Sequence, residues 1–327
     1  MAGNLLSPPE KTMQATIDWL LGLPKCEREE MEKAKSFTFT LGNPAPTQPS
    51  DPARSQVRSR PTFVTLNVDC NVAADLLCRK GFRVAVLNFA HGYNCGGGFE
   101  HAGGSQEEAI FRSTSVFLSL WPRRRPDDGP GVLTRGMWIG DYDDKLLRKE
   151  AFYPHTECGG IYSPHVRLVR NVTAPSLPLL DTEDVETAPC FAMLTVAAQD
   201  VNRDGPFRQE LLREKARTAL YMAASHGHDA LVLGAFGCGF FRNPPEVVAA
   251  TFKELLHGEF ATVFSVAVFA IPDSGGTNLE AFMTVFPAID DDELDIILEN
   301  ARKNDHTSGR ELAIAQEANS FGCCRQS

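Results

Sequence analysis

From Thr62 onward, short apolar runs alternate with longer segments whose apolar residues recur at helical spacing. Phe63 to Leu66 reads as a strand, and Ala73 to Lys80 as a helix closed by Gly81. Arg83 to Phe89 is a β-branched apolar run of the kind buried on both faces of a sheet. A glycine-rich turn follows, then a helix predicted from about Gln106 to Leu120. The scheme repeats, with strands at Phe191 to Ala197, Ala230 to Leu233 and Val263 to Ile271, and helices at Phe207 to His226 and Pro244 to His257. Strands separated by helices of this length predict a mixed, mostly parallel sheet covered on both faces. The expected fold class is therefore α/β, a three-layer α/β/α domain over residues 62–287.

The flanks read differently. Met13, Ile17, Leu20 and Leu21 predict one or two short helices within an amino-terminal extension, residues 1–40. Residues 41–61 hold five prolines and almost no apolar side chains, which predicts a linker or exposed loop. Residues 288–327 begin with an acidic run and end in a polar stretch, a peripheral extension rather than a second domain.

Composition narrows the classes of function. With 42 acidic against 32 basic side chains, the net charge of −10 argues against a binder of long nucleic acid, and direct DNA binding is not expected. It leaves room for a small anion held by backbone amides. No run of 18 apolar residues occurs, and the first residues lack the basic and apolar regions of a signal peptide. The nine cysteines form no CxxC pair, so neither a zinc knuckle nor a disulfide framework is signalled. The expectation is a soluble intracellular protein, cytoplasmic or nuclear, a monomer without membrane contact.

Two glycine-rich turns each follow a buried strand and precede a helix: Asn94-Cys95-Gly96-Gly97-Gly98, and Gly234-Ala235-Phe236-Gly237-Cys238-Gly239-Phe240-Phe241. Glycines allow close backbone approach, and a helix amino terminus favours phosphate. In an α/β sheet both turns fall at the carboxyl ends of strands, where ligands bind. Together they suit a diphosphate, although each alone could be a tight turn. Neither fits G-x-G-x-x-G, since the sixth positions are His101 and Arg242, and no glycine here leads into a Walker lysine.

Ser105-Gln106-Glu107-Glu108 opens a helix and admits two readings. One is a capping box, Glu108 folding back onto the cap amide. The other is glycosidic chemistry by adjacent carboxylates, one protonating a leaving oxygen and then activating water.

Gly96-Gly97-Gly98, seven residues, then Gln106-Glu107-Glu108 resembles the GGG-x(6–8)-QEE signature of poly(ADP-ribose) glycohydrolases. The surrounding motifs LNFAHGYNCGGGFEHAGGSQEEAIFRSTSVFLSL, IYSPHVRLVRN, HGHDALVLGAFGCGFFRNPPEVVAATFKELL and FAIPDSGGTNLEAFMTVF resemble the shorter, bacterial-type branch, also found in fungi. Cys95 stands where that branch usually has proline. The resemblance implies a macrodomain-like fold and hydrolysis of ribose–ribose O-glycosidic bonds in poly(ADP-ribose), mainly exo, releasing ADP-ribose. It implies that Glu108 is the acid/base and that Glu107 orients the scissile bond. Asn94, Gly96, Gly97 and Gly98 would surround the terminal ribose, with Phe241 against it, and Gln106 would also contact the substrate. Gly237, Cys238, Gly239, Phe240 and Phe241 would form the diphosphate loop, and Asp69 would meet the adenine, with Phe269 or Phe282 as stacking candidates. No cofactor and no metal are implied. The alternatives are a hydrolase of mono-ADP-ribosylated side chains or ADP-ribose esters, and a non-catalytic ADP-ribose reader.

Other features take plain readings. Cys238 is expected to fill space, His226-Gly227-His228 to end a helix, Arg123-Arg124-Arg125 with Asp127-Asp128 to form a solvated loop, and Asp290 to Asp295 a solubilising face.

Overall fold

The structure is a computed structural model that describes residues 8–42, 61–99, 104–125, 150–174, 176–181, 184, 187–272, 275–289, 293–296 and 298–299. Asp127-Asp128, Asp290, most of the proline-rich segment and the end of the polar tail lie outside these residues.

Seven strands form one sheet in the order β1-β4-β5-β3-β6-β7-β2. They are β1 (Lys35–Phe37), β2 (Thr62–Leu66), β3 (Val84–Phe89), β4 (Gly160–Arg167), β5 (Cys190–Val196), β6 (Ala230–Leu233) and β7 (Val266–Ala270). The pairs β5-β3, β3-β6, β6-β7 and β7-β2 are parallel, whereas β1-β4 and β4-β5 are antiparallel. The β6 and β7 side chains are all buried, as the near-continuous apolar runs predict for strands covered twice.

Helices α1 (Pro8–Gly22), α2 (Lys25–Met31), α3 (Cys70–Arg79), α4 (Gln106–Ser113) and α5 (Val116–Leu120) contribute to the core on one face. On the other face lie α6 (Gln209–Ser225), α7 (Pro245–His257) and α8 (Asn278–Met283). The three-layer α/β/α expectation holds.

The amino-terminal segment is built into this body. Met13, Ile17 and Leu20 are fully buried, and β1 extends the sheet. The Arg170 guanidinium fixes α1 by donating to the carbonyls of Thr12 (2.8 Å) and Arg112 (2.9 Å) and to Thr16 Oγ1 (3.0 Å). At the carboxyl side, Leu294 and Leu298 are buried, and Asp295 pairs with Lys80 at 2.8 Å.

The helix expected over 106–120 is two helices. Thr114 is extended, with its hydroxyl on the Ile110 carbonyl, and the Ser115 hydroxyl accepts from the Arg167 amide. These local bonds compete with the helical ladder and break it. The solvated reading of Arg123 and Arg124 is also corrected. Both are buried, Arg123 lying 5.2 Å from the Phe152 ring centroid and Arg124 4.4 Å from that of Trp121. A guanidinium is weakly hydrated and stacks well on aromatic faces.

Candidate active site

The carboxyl ends of β5, β3 and β6 lie side by side, so their three following loops border one crevice. Gln106 sets the position of α4 at the end of β3. Its Oε1 accepts from the Phe89 amide at 2.8 Å and its Nε2 donates to the Leu87 carbonyl at 2.7 Å, as a neighbouring strand would. The amide is thus committed to the scaffold, and it brings Glu107 and Glu108 under the first glycine turn.

Both carboxylates are buried. Glu107 Oε2 accepts from the His91 amide at 2.8 Å, and its Oε1 lies 3.5 Å from Asn88 Nδ2. Burial, with the charge of Glu108 beside it, pushes the Glu107 carboxyl well above the usual carboxylate range. Glu108 Oε1 accepts from the Gly98 amide at 2.8 Å, and its Oε2 accepts from the Ser105 hydroxyl. Ser105 occupies the cap position but makes no side-chain cap bond, so the capping box is not formed. Glu108 is turned toward the glycines instead.

The turn fits closely over the carboxylates. Gly97 adopts φ +59°, and a Cβ there would stand 2.7 Å from Glu108 Oε1 and 2.9 Å from Glu107 Oε2. Gly96, at φ +78°, packs on Phe99 and Phe111. Only glycine satisfies both the conformation and the space. Asn94 is exposed, and its carbonyl accepts from the Gly97 amide at 3.0 Å.

In the second loop Gly237 has φ +74° and packs on Asn243, whose Nδ2 donates to the carbonyls of Gln199 (2.8 Å) and Gly237 (3.0 Å). A Cβ on Gly239 would meet nothing within 4 Å. The amides of Gly239, Phe240 and Phe241 donate to no acceptor among the described residues. Phe240 is 80% exposed, an uncommon state for a phenylalanine, while Phe241 is half-buried with its ring centroid 6.1 Å from that of His91. Burial pushes the Cys238 thiol up to about 12, consistent with a space-filling role.

Asp69 caps α3, accepting from the Asn71 amide at 2.8 Å. Phe269 and Phe282 are wholly buried; Phe269 stacks on Phe286 at 4.1 Å, so both belong to the core. Among the described residues no group of three or more His, Cys, Asp or Glu is placed to hold a metal ion. A cavity of about 560 Å³, lined by Lys35 to Thr38, Glu150 to Phe152 and Pro154 to Thr156, includes neither carboxylate nor either glycine turn.

Residues 27–171 match the family model described as microbial-type PARG, catalytic domain, PARG denoting poly(ADP-ribose) glycohydrolase. Over those residues the chain is similar to the microbial-type poly(ADP-ribose) glycohydrolases. The matched stretch begins in the segment expected as an extension, in keeping with the packing of α2 and β1. The fold is similar to a poly(ADP-ribose) glycohydrolase from Thermomonospora curvata, with 25% identity and a TM-score of 0.64 over 85% of this chain and 99% of that one. It is also similar to the Deinococcus radiodurans glycohydrolase in complex with ADP-ribose, with 28% identity and a TM-score of 0.58 over 80% and 97%. No curated protein sequence is detectably similar to the chain.

Two parts of this candidate site do not follow from the sequence pattern. The loop Gln199 to Gly205 joins the glycine turns: Asn202 Nδ2 donates to the Phe240 carbonyl at 2.7 Å, and the Arg203 guanidinium lies 4.2 Å from the Tyr93 ring centroid. His91 sits between the turns with its amide on Glu107. Neither belongs to a glycine run or a carboxylate pair, and polar residues after a strand carry no pattern of their own.

Proposed function

We propose that the chain hydrolyses ribose–ribose O-glycosidic bonds in poly(ADP-ribose), mainly at the terminal unit, releasing ADP-ribose. The observation that carries this reading is the pair of buried carboxylates fitted beneath Gly96 to Gly98, with a second glycine loop beside them. In this reading the second loop holds the diphosphate through backbone amides, which aim partial positive charge at phosphate without the desolvation cost of a lysine. Gly96 to Gly98 and Asn94 border the terminal ribose.

Glu108 acts as the acid/base. Its proton passes to the 2′-oxygen of the leaving ribose as the glycosidic bond breaks and an oxocarbenium-like cation develops. The resulting carboxylate then takes a proton from the attacking water, which restores the acid. Ser105 can follow this cycle, because a hydroxyl both donates and accepts. Glu107, favoured in its neutral form by burial, accepts from the His91 amide and can donate to a sugar hydroxyl. It thereby orients the bond and limits charge repulsion beside Glu108.

Product analysis tests this against its neighbours. The chain should release free ADP-ribose from the first turnover and leave the last, protein-linked unit in place. Early release of oligomers would refute the exo assignment, and removal of the last unit would indicate a side-chain hydrolase. Binding without release would indicate a reader.

A further inference from the structure

His91 Nδ1 accepts two backbone hydrogen bonds, from the Tyr93 amide at 3.2 Å and the Asn94 amide at 3.0 Å. A ring nitrogen that accepts carries no proton, so the neutral ring must hold its hydrogen on Nε2. The bonds close a turn that a short polar side chain usually makes with the amides two and three residues on. From that turn the Asn94 carbonyl takes the Gly97 amide, and Gly97 rests against both carboxylates. The His91 amide meanwhile donates to Glu107 Oε2. One residue thus braces the glycine turn and a carboxylate together, and its ring packs on Tyr93 and Phe241 from the two loops.

We propose that His91 is a positioning residue whose neutral imidazole clasps the glycine turn in its ligand-binding form, and whose protonation opens it. Protonation places hydrogen on Nδ1, facing two amide donors, and both bonds are lost. The groups around the ring are Arg203 and Asp200 on the loop after β5, Glu108 on α4, Arg125 beyond α5, and His155, with Glu107 beneath the backbone. Burial and the Arg203 charge hold the His91 pKa below its ordinary value, against the opposing pull of Asp200 and Glu108. The clasp is therefore closed at neutral pH and opens as the pH falls through that lowered pKa.

The proposal rests on the ADP-ribose reading above, and its test separates the two. Nitrogen-15 NMR of the ligand-free protein reads the His91 tautomer and the Tyr93 and Asn94 amides across pH, while calorimetry reads ADP-ribose affinity at about pH 7.5 and at a pH below the His91 midpoint found by NMR. The expected result is an Nε2–H tautomer, amide signals that titrate with His91, and an affinity loss of about tenfold on acidification, as for two lost hydrogen bonds. His91→Asn, whose Oδ1 can accept from both amides but does not titrate, should bind well and keep its affinity at low pH. His91→Ala should bind weakly at both. An Nδ1–H tautomer, or the same acid loss in wild type and His91→Asn, would overturn the proposal. Failure of the wild type to bind ADP-ribose at neutral pH would overturn the functional reading instead, and the tautomer and amide titration would still decide the clasp.

Discussion

Gly97→Ala tests the fit between the glycine turn and the carboxylates. The added methyl would lie 2.7 Å from Glu108 Oε1 and 2.9 Å from Glu107 Oε2, in a residue held at φ +59°. An L side chain in that left-handed region costs about 1–2 kcal/mol. The two carboxylates would also have to retreat by about 0.5–0.7 Å to reach ordinary contact, and a misplacement of about 1 Å in a reacting group can cost roughly 10²-fold in rate. Urea unfolding should show a stability loss of about 1–2 kcal/mol. Turnover on poly(ADP-ribose) should fall roughly a hundredfold, far beyond what the modest unfolding explains. Two other glycines supply the scale. Gly98→Ala brings its methyl only to 3.4 Å from Glu108 Oε1, and Gly239→Ala meets nothing within 4 Å. Both should fold normally, and Gly98→Ala should lose much less turnover. A Gly97→Ala protein with wild-type turnover would refute the placement of Glu107 and Glu108 beneath the turn.

Replacing Gly239 with tryptophan should leave thermal stability unchanged while ADP-ribose affinity falls at least about tenfold, because the side chain would project into the space assigned to the diphosphate. Unchanged affinity by calorimetry would remove the ligand from that loop. Glu107→Gln should gain stability over wild type as the pH rises above the usual carboxyl value of 4.5. A carboxyl with a raised folded-state pKa favours the native state at low pH and loses about 1.4 kcal/mol of that advantage per pH unit up to its folded pKa. Glutamine does not titrate, so unfolding curves at acid and neutral pH should diverge; parallel curves would contradict the burial effect. Arg170→Met should destabilise the protein by about 2–4 kcal/mol, since it removes the charged donor that ties the Thr12 carbonyl of α1 to the Arg112 carbonyl of α4. Phe269→Leu should keep ADP-ribose affinity within about twofold while lowering stability, as expected of a core residue and not of an adenine-stacking one.

The parallel half of the fold was legible because its signal is local. Val84 to Phe89, Ala230 to Leu233 and Val266 to Ala270 are apolar runs that can be buried only within a covered sheet. The antiparallel edge was not. In β4, Pro164 and an irregular register between Ser163 and Val166 interrupt the alternation that marks a strand, and the three-residue β1 is too short to show any. The packing of α1 depends on Arg170, a contact 154 residues away from Thr16 that no periodicity reports. In the site, spacing brought the glycines and glutamates to notice and left the capping box open as an alternative. The missing cap bond of Ser105 and the orientation of Glu108 toward Gly98 exclude the capping box. Gln106 shows the converse, since the motif marks it for ligand contact whereas its amide is committed to the β3 backbone.

The central claim is that Glu108 carries the proton in hydrolysis of the polymer. Its most direct test is the rate of ADP-ribose release from poly(ADP-ribosyl)ated protein by the wild type and by Glu108→Gln. Glutamine keeps an acceptor for the Gly98 amide, so the turn and ADP-ribose binding should survive. Release by the variant should fall by about 10²–10⁴-fold or more. Comparable release by the two proteins, or none by a wild type that binds ADP-ribose, would contradict the account.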